Sequence, residues 1–262
     1  MKIVSWNINA LRAHEDAFRK AMSSLQPDVF CLQEIRVRED QRTFPVKGYH
    51  SIINSADMSQ YYGTAMYFKN GIHPLSVTFD QYESEFGYEG RIIAAEFPCY
   101  YLVNSYWPFS MRSADNKWLK HRLAWNKWLL AFTHLLQQKK PIIICGDMNI
   151  VHEPVDAFDG KAFKRAGCFF PEEHEAFDRL LAEEKLIDTY RHLHPQEECL
   201  GRNGRYTTWS NSPDGVNRRN NEGFRIDYFL VSKTLMSSVS SSVIHDGLEG
   251  SDHCPISLNI QI

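Results

Sequence analysis

No run in this 262-residue chain approaches the ~20 consecutive apolar residues that a bilayer-spanning helix needs, so no membrane partner is expected. The opening Met1-Lys2-Ile3-Val4-Ser5-Trp6 runs straight into a strand pattern, which leaves no room for a secretory leader. Cysteine is sparse and scattered. Cys31, Cys99, Cys145, Cys168, Cys199 and Cys254 show no paired metal-ligand spacing and read as reduced thiols of a cytoplasmic protein. A basic excess is missing as well: the net charge of −3 gives no global attraction to nucleic acid. A local basic face would still suffice to contact phosphates, so DNA binding stays open.

What is there fits a soluble globular protein, with 43% hydrophobic and 23% charged residues. Ile3–Trp6, Val29–Leu32, Thr64–Phe68, Ile92–Phe97, Tyr101–Tyr106 and Ile142–Cys145 read as strands. Helices are expected near Ala13–Leu25, over Asn116–Gln138 with an apolar stripe ended by Pro141, and from Pro171 to about Glu183. No Pro/Gly/Ser linker divides these elements, so residues 1–262 read as one α/β domain of packed sheets flanked by helices. Gly201–Gly223 is poor in apolar residues and reads as a surface or substrate-contacting loop.

Three segments place acids or amides beside strand-forming runs: Cys145-Gly146-Asp147-Met148-Asn149, Arg225-Ile226-Asp227-Tyr228 and Gly250-Ser251-Asp252-His253-Cys254-Pro255. Glu34 ends the Phe30–Gln33 run in the same way, and Asn7 and Asn9 follow the first strand. Carboxylates at strand ends can converge on one sheet edge, where a divalent cation and a phosphate are both held. Oxygen donors without a His/Cys cluster suit Mg²⁺ or Mn²⁺ and disfavour zinc. Asp147 and Asn149, two apart, would share a face of an extended segment. Each motif alone is also an ordinary turn or a surface acid. His253 differs in having acidic partners within reach, Asp227 among them.

The ordered set Trp6-Asn7-Ile8-Asn9, Leu32-Gln33-Glu34, Gly90-Arg91, Gly146-Asp147-Met148-Asn149, Arg225-Ile226-Asp227-Tyr228 and Ser251-Asp252-His253 resembles the endonuclease/exonuclease/phosphatase superfamily. Tyr61-Tyr62-Gly63, Phe170-Pro171-Glu172-Glu173, Asp188-Thr189-Tyr190-Arg191 and Thr208-Trp209 make it similar to the exonuclease III class of apurinic/apyrimidinic endonucleases. The resemblance implies a four-layered α/β sandwich, two packed mixed β-sheets flanked by helices. It implies a Mg²⁺-dependent DNA repair nuclease, with Mn²⁺ able to substitute, acting as a monomer on double-stranded DNA at abasic sites and 3′ ends. Glu34 would be the principal metal ligand, with Asn7 and Asp252 close by and Asn9 a further candidate. Asp147, Asn149 and His253 belong to the wider metal-contacting set. Asp147 would handle the attacking water, Asn149 the phosphate, His253 with Asp227 the phosphate oxygens, and Tyr106 the phosphate or leaving group. Arg91, Arg112, Arg218 and Arg219 are the expected DNA-backbone contacts, and Phe224, Ile226 and Trp209 the expected lining of an abasic pocket.

The chain departs from the family pattern in three places. Asn9 stands where some members carry Asp, Phe109 where an amide commonly follows the Tyr-X-Pro segment, and Ser210–Gly223 is unusually polar. Two other readings compete: a superfamily phosphohydrolase acting on RNA, an inositol phosphate or a lipid head group, and a DNA-binding homologue weakened in catalysis.

Overall fold

The strand-forming runs are apolar at successive positions because both faces of each sheet are covered. The computed structural model describes residues 1–262 apart from 39–43, 59, 86, 112, 160–168, 196–204 and 210–215. One six-stranded sheet has the order β15-β16-β1-β2-β4-β3, built from β1 (Lys2–Asn7), β2 (Val29–Gln33), β3 (Tyr49–Asn54), β4 (Thr64–Lys69), β15 (Val239–Ile244) and β16 (Ile256–Ile260). The other has the order β11-β14-β10-β9-β8-β5, from β5 (Ser76–Phe79), β8 (Ile92–Glu96), β9 (Tyr101–Tyr106), β10 (Ile142–Asp147), β11 (Leu186–Asp188) and β14 (Asp227–Ser232). Two short ribbons pair β6 (Glu83–Ser84) with β7 (Gly87–Tyr88), and β12 (Thr208–Trp209) with β13 (Gly223–Phe224). Both sheets are mixed: β1 runs parallel to β2 and β9 to β10, while the remaining neighbours are antiparallel.

Strand alternation then builds the layers. Ile3, Cys31, Ile143, Phe229 and Leu258 point between the sheets. Val4, Trp6 and Phe30 point outward onto α1 (Glu15–Leu25), and Ile142, Ile144 and Leu230 outward onto α2 (Lys117–Gln137) and α3 (Pro171–Glu183). Each fully buried aliphatic or Phe side chain of this kind contributes about 1.5–3 kcal/mol. α1 starts on Glu15 and Asp16, which suit its positive end, buries Phe18, Ala21, Met22 and Leu25, and stops at left-handed Gln26. α3 opens on Pro171, with Glu173 reaching back to the Phe170 amide at 3.2 Å. The short α4 (Thr189–Leu193) and α5 (Val216–Arg219) flank the second sheet and the β12–β13 ribbon. Among the described residues no helix is long and apolar enough to cross a membrane.

Candidate active site

β1, β2, β9 and β10 end at the same edge at which the antiparallel β14 and β16 begin. Asp147 therefore lies between Tyr106 on one neighbouring strand and Asp227 on the other, and Asn7 lies beside Gln33. Gly146 makes the approach possible. Its φ is +134°, and a Cβ there would stand 1.9 Å from the Ser105 carbonyl oxygen, so no other residue fits before Asp147. Glu34 leaves its strand in a left-handed conformation, φ +52°, which costs about 1–3 kcal/mol and turns the carboxylate out of the sheet's alternation. The two sheets are tied together just beneath. Gln33 Nε2 donates to Asn104 Oδ1 at 2.7 Å and to Ser5 Oγ at 3.0 Å, so the end of β2 is registered against β9.

The side chains form one array. Tyr106 Oη donates to Glu34 Oε2 at 3.1 Å, and Asn7 Nδ2 donates to the same Glu34 oxygen at 3.1 Å and to Asp147 Oδ2 at 2.8 Å. The Asn149 amide N–H donates to Asp147 Oδ1 at 2.9 Å, while its side chain donates to the Trp107 carbonyl at 3.0 Å. His253 Nδ1 meets Asp227 Oδ2 at 2.8 Å, and its Nε2 lies 3.9 Å from Asp147 Oδ2. Thr207 Oγ1 accepts from the Ile226 and Asp227 amides at 3.1 Å each, which fixes the start of β14. Asn9 Nδ2 donates to Asp252 Oδ1 at 2.9 Å, a bond an aspartate at position 9 would not make.

Charge follows from burial and neighbours. Burial works against an imidazolium at His253, but Asp227 and Asp147 outweigh it and carry the ring to about 10. Burial raises Asp147 to about 7 against the opposing charge of His253, with Asp227 adding to the rise. Burial would also raise Asp252, yet the His253 charge and the Asn9 bond hold it below the usual carboxylate range. Burial, then the Glu34 charge, push the Tyr106 phenol well up, so it remains a donor. At neutral pH the edge thus presents an imidazolium, a phenol and a carboxylate poised near neutrality.

Residues 4–253 match the Endonuclease/Exonuclease/phosphatase family. The chain belongs to that family. It is 36% identical over 264 residues to an exodeoxyribonuclease of Bacillus subtilis, covering 100% of both chains. It is 35% identical over 270 residues to a DNA-(apurinic or apyrimidinic site) endonuclease of Dictyostelium discoideum, covering 100% of this chain and 71% of that one. The crystal structure of an AP endonuclease from Leishmania major superposes with a TM-score of 0.84 at 26% identity, covering 100% of this chain and 87% of that one. The four layers match this endonuclease fold.

For this member of the Endonuclease/Exonuclease/phosphatase family, the donor set suits a hard divalent cation. Glu34 and Asp147 converge on the single Asn7 amide, so two carboxylates and an amide lie together with no thiolate among them. A second group, Asp147, Asp227 and His253, brings its ligand atoms within 4.8 Å, and the buried Asp227 Oδ1 has no partner among the described residues. There the protonated His253 supplies positive charge, as the Arg36 guanidinium paired with Glu34 does on the other side.

The expected DNA contacts are placed less uniformly. Arg91 is 3% exposed, not at the surface where a backbone contact was expected. Its Nε donates to Glu89 at 2.7 Å and its Nη1 to the Tyr106 carbonyl at 2.9 Å, with the Tyr62 and Tyr106 rings 4.7 and 4.9 Å away. It shapes Tyr106 from behind. Trp209 is also buried, its side chain clustered with Tyr206 and Cys254 while its backbone pairs with Gly223, next to Phe224. Its backbone N–H donates to the Asp252 carbonyl at 2.9 Å, and Arg218 covers its ring at 4.5 Å. Phe224 and Ile226 do cluster, with Val151, Ala157 and Phe169. Arg218 donates to the Ser251 and Leu248 carbonyls at 2.8 Å each, and Arg219 next to it is exposed. Arg112 lies outside the described residues. Arg122 was read only as part of helix α2, yet it is fully buried and donates to the Pro108 and Met148 carbonyls at 2.5 and 2.8 Å, bracing both strand ends.

Proposed function

We propose that this chain is a DNA repair nuclease that hydrolyses phosphodiesters 5′ to abasic sites and at 3′ ends of double-stranded DNA. The observation that carries the reading is the hydrogen-bonded array from Tyr106 through Glu34 and Asn7 to Asp147, with the His253–Asp227 pair beside it. A poised carboxylate beside two phosphate donors is what in-line hydrolysis needs. The relatives' names, exodeoxyribonuclease and endonuclease for apurinic or apyrimidinic sites, favour DNA over RNA, inositol phosphates or lipid head groups.

In this reading Asp147 orients the water and accepts its proton, and the Asn149 amide steadies the crowded phosphate. His253, aimed by Asp227, donates to a non-bridging oxygen, and Tyr106 donates from the other side. Glu34 would hold Mg²⁺, or Mn²⁺ in its place, with Asn7, Asp252, Asn9, Asp147, Asn149 and His253 as the further candidates to contact it. The metal, when bound, neutralises charge on the phosphate and the departing 3′-oxygen. Arg218, Arg219 and Arg112 supply backbone contacts, while Phe224 and Ile226 line the pocket for the extruded abasic sugar. The chain works as a cytoplasmic monomer.

A duplex carrying one abasic site and a 3′-recessed end, incubated with and without Mg²⁺, tests this. Incision at the abasic site or trimming of the recessed end, dependent on metal, is expected. An intact duplex beside hydrolysed RNA or inositol phosphate would overturn the choice of DNA.

A further inference from the structure

The segment leaving β9 exposes two apolar side chains, Phe109 at 42% and Met111 at 47%. Both neighbours of Phe109 are pinned. The Pro108 carbonyl accepts from Arg122 at 2.5 Å, and Ser110 Oγ donates to Glu173 Oε1 at 2.5 Å, with Ser110, Arg122 and Glu173 all 0% exposed. One residue further back, the Trp107 carbonyl accepts from Asn149 at 3.0 Å, and the Trp107 amide donates to the Asp147 carbonyl at 2.9 Å. The backbone carrying Phe109 is therefore bolted to the strand end that carries Asp147. Phe109 follows Tyr106 by three positions, on backbone fixed to the strand end that carries Asp147.

A phenyl ring cannot donate to a phosphate, and one this exposed adds little to the core. Next to a phosphodiester, one ligand group matches a rigid exposed aromatic: an unpaired nucleobase, since every base offers a π-face and the ring has few rotamers to lose. A paired base is already stacked in its duplex, and an abasic sugar or a terminal phosphate has no face to offer.

We propose that Phe109 is a stacking platform for the unpaired base of the nucleotide being removed, and that it biases the enzyme toward frayed 3′-terminal nucleotides over 3′ ends whose departing group carries no base. The proposal rests on the nuclease reading above and names the preferred end.

The test compares wild type, Phe109→Ala, Phe109→Asn and Phe109→Tyr on two duplexes, one ending in an unpaired 3′ nucleotide and the other in a 3′-phosphate. Phe109→Ala and Phe109→Asn should lower kcat/KM for the unpaired nucleotide about tenfold relative to the 3′-phosphate, mostly through KM, and Phe109→Tyr should retain the wild-type ratio. In a second arm without metal, a terminal 2-aminopurine should be quenched on binding wild type and Phe109→Tyr but not Phe109→Ala. An unchanged ratio in Phe109→Ala, or quenching that survives the substitution, overturns the platform. Wild-type protein that quenches 2-aminopurine yet cleaves neither end would sink the nuclease reading and leave the stacking contact standing.

Discussion

His253 and Asp227 form a buried pair, with imidazole Nδ1 and carboxylate Oδ2 2.8 Å apart. The bond aims the other ring nitrogen at the edge where Asp147 lies 3.9 Å away. Residues that act as one unit lose their effect together. His253→Ala and Asp227→Ala should each lower kcat by about 10²-fold or more, and the double variant should be little worse than either. Steady-state kinetics on all four proteins checks this, and fully additive losses would dissolve the pair.

Asp147→Asn keeps the size and shape of the side chain but removes its basicity. The rate should fall about 10²-fold or more, while DNA affinity stays level or rises because one negative charge has left a phosphate site. Single-turnover rates paired with equilibrium binding separate the two effects. A parallel loss of both would make Asp147 a structural residue.

Glu34→Ala removes the carboxylate that Tyr106 and Asn7 both address. Most activity should disappear, excess Mn²⁺ should restore part of it, and calorimetric titration of Mg²⁺ should show weaker binding. Wild-type turnover without added metal in this variant would remove Glu34 from the metal site.

Glu89 should give the fold a sensitivity to acid. Burial would raise its carboxyl, but the His121 bond and the Arg91 charge bring it down from 4.5 to about 2. A carboxylate depressed in the folded state adds stability at every pH above its unfolded value and loses it as pH falls through the folded one. This contribution, up to about 3 kcal/mol, is thus full above pH 4.5 and fades between 4.5 and 2. Denaturant melts at pH 5 and pH 3 should show Glu89→Gln missing that part of the slope. The variant should also be less stable at neutral pH, because Arg91 is left as a buried unpaired charge.

Phe224 packs on Phe169, ring centroids 5.8 Å apart, beside Ile226. If this cluster excludes intact nucleotides by size, Phe224→Ala should lower the abasic-to-normal cleavage ratio about tenfold while DNA affinity changes little. Affinity of the wild type should itself drop steeply between low and high salt. A salt-independent Kd would remove the Arg218–Arg219 footprint.

The centre of each sheet was legible because its strands are apolar on both faces, as in Ile142–Cys145 and Val29–Leu32. The edges were not. Tyr49–Asn54 and Val239–Ile244 lie at sheet margins, where half-exposed serines and histidines blur the alternation. Glu34, Asp147 and Asp227 were readable as acids abutting buried runs. The burial of Trp209 was not legible, since a tryptophan in a polar stretch gives no hint of what covers it, and for Arg91 the sequence showed only Glu89, two residues away. Tyr106 over Arg91, and Asp252 and Arg218 at Trp209, meet these residues only in the folded chain. Arg122 left a trace, a charge on the apolar face of its helix between Leu119 and Trp125. Thr207 left none and Gln33 only its place in Leu32-Gln33-Glu34, since the part a buried hydroxyl or amide plays is recognised only by what it bonds.

The Trp6 indole donates to the His253 carbonyl at 3.0 Å across 247 residues of sequence, and β1 is flanked by β16 on one side and β2 on the other. During synthesis, Asn7 and Glu34 emerge early and must wait for Asp252 and His253. Until His253 has been made Trp6 lacks its acceptor, and until the strand Ile256–Ile260 follows, β1 has an open edge, so the partly made chain offers a sheet margin to chaperones or to aggregation. It also holds Asn7, Glu34 and Asp147 with no imidazole opposite. The functional edge of the two sheets therefore comes together only after His253 has been made.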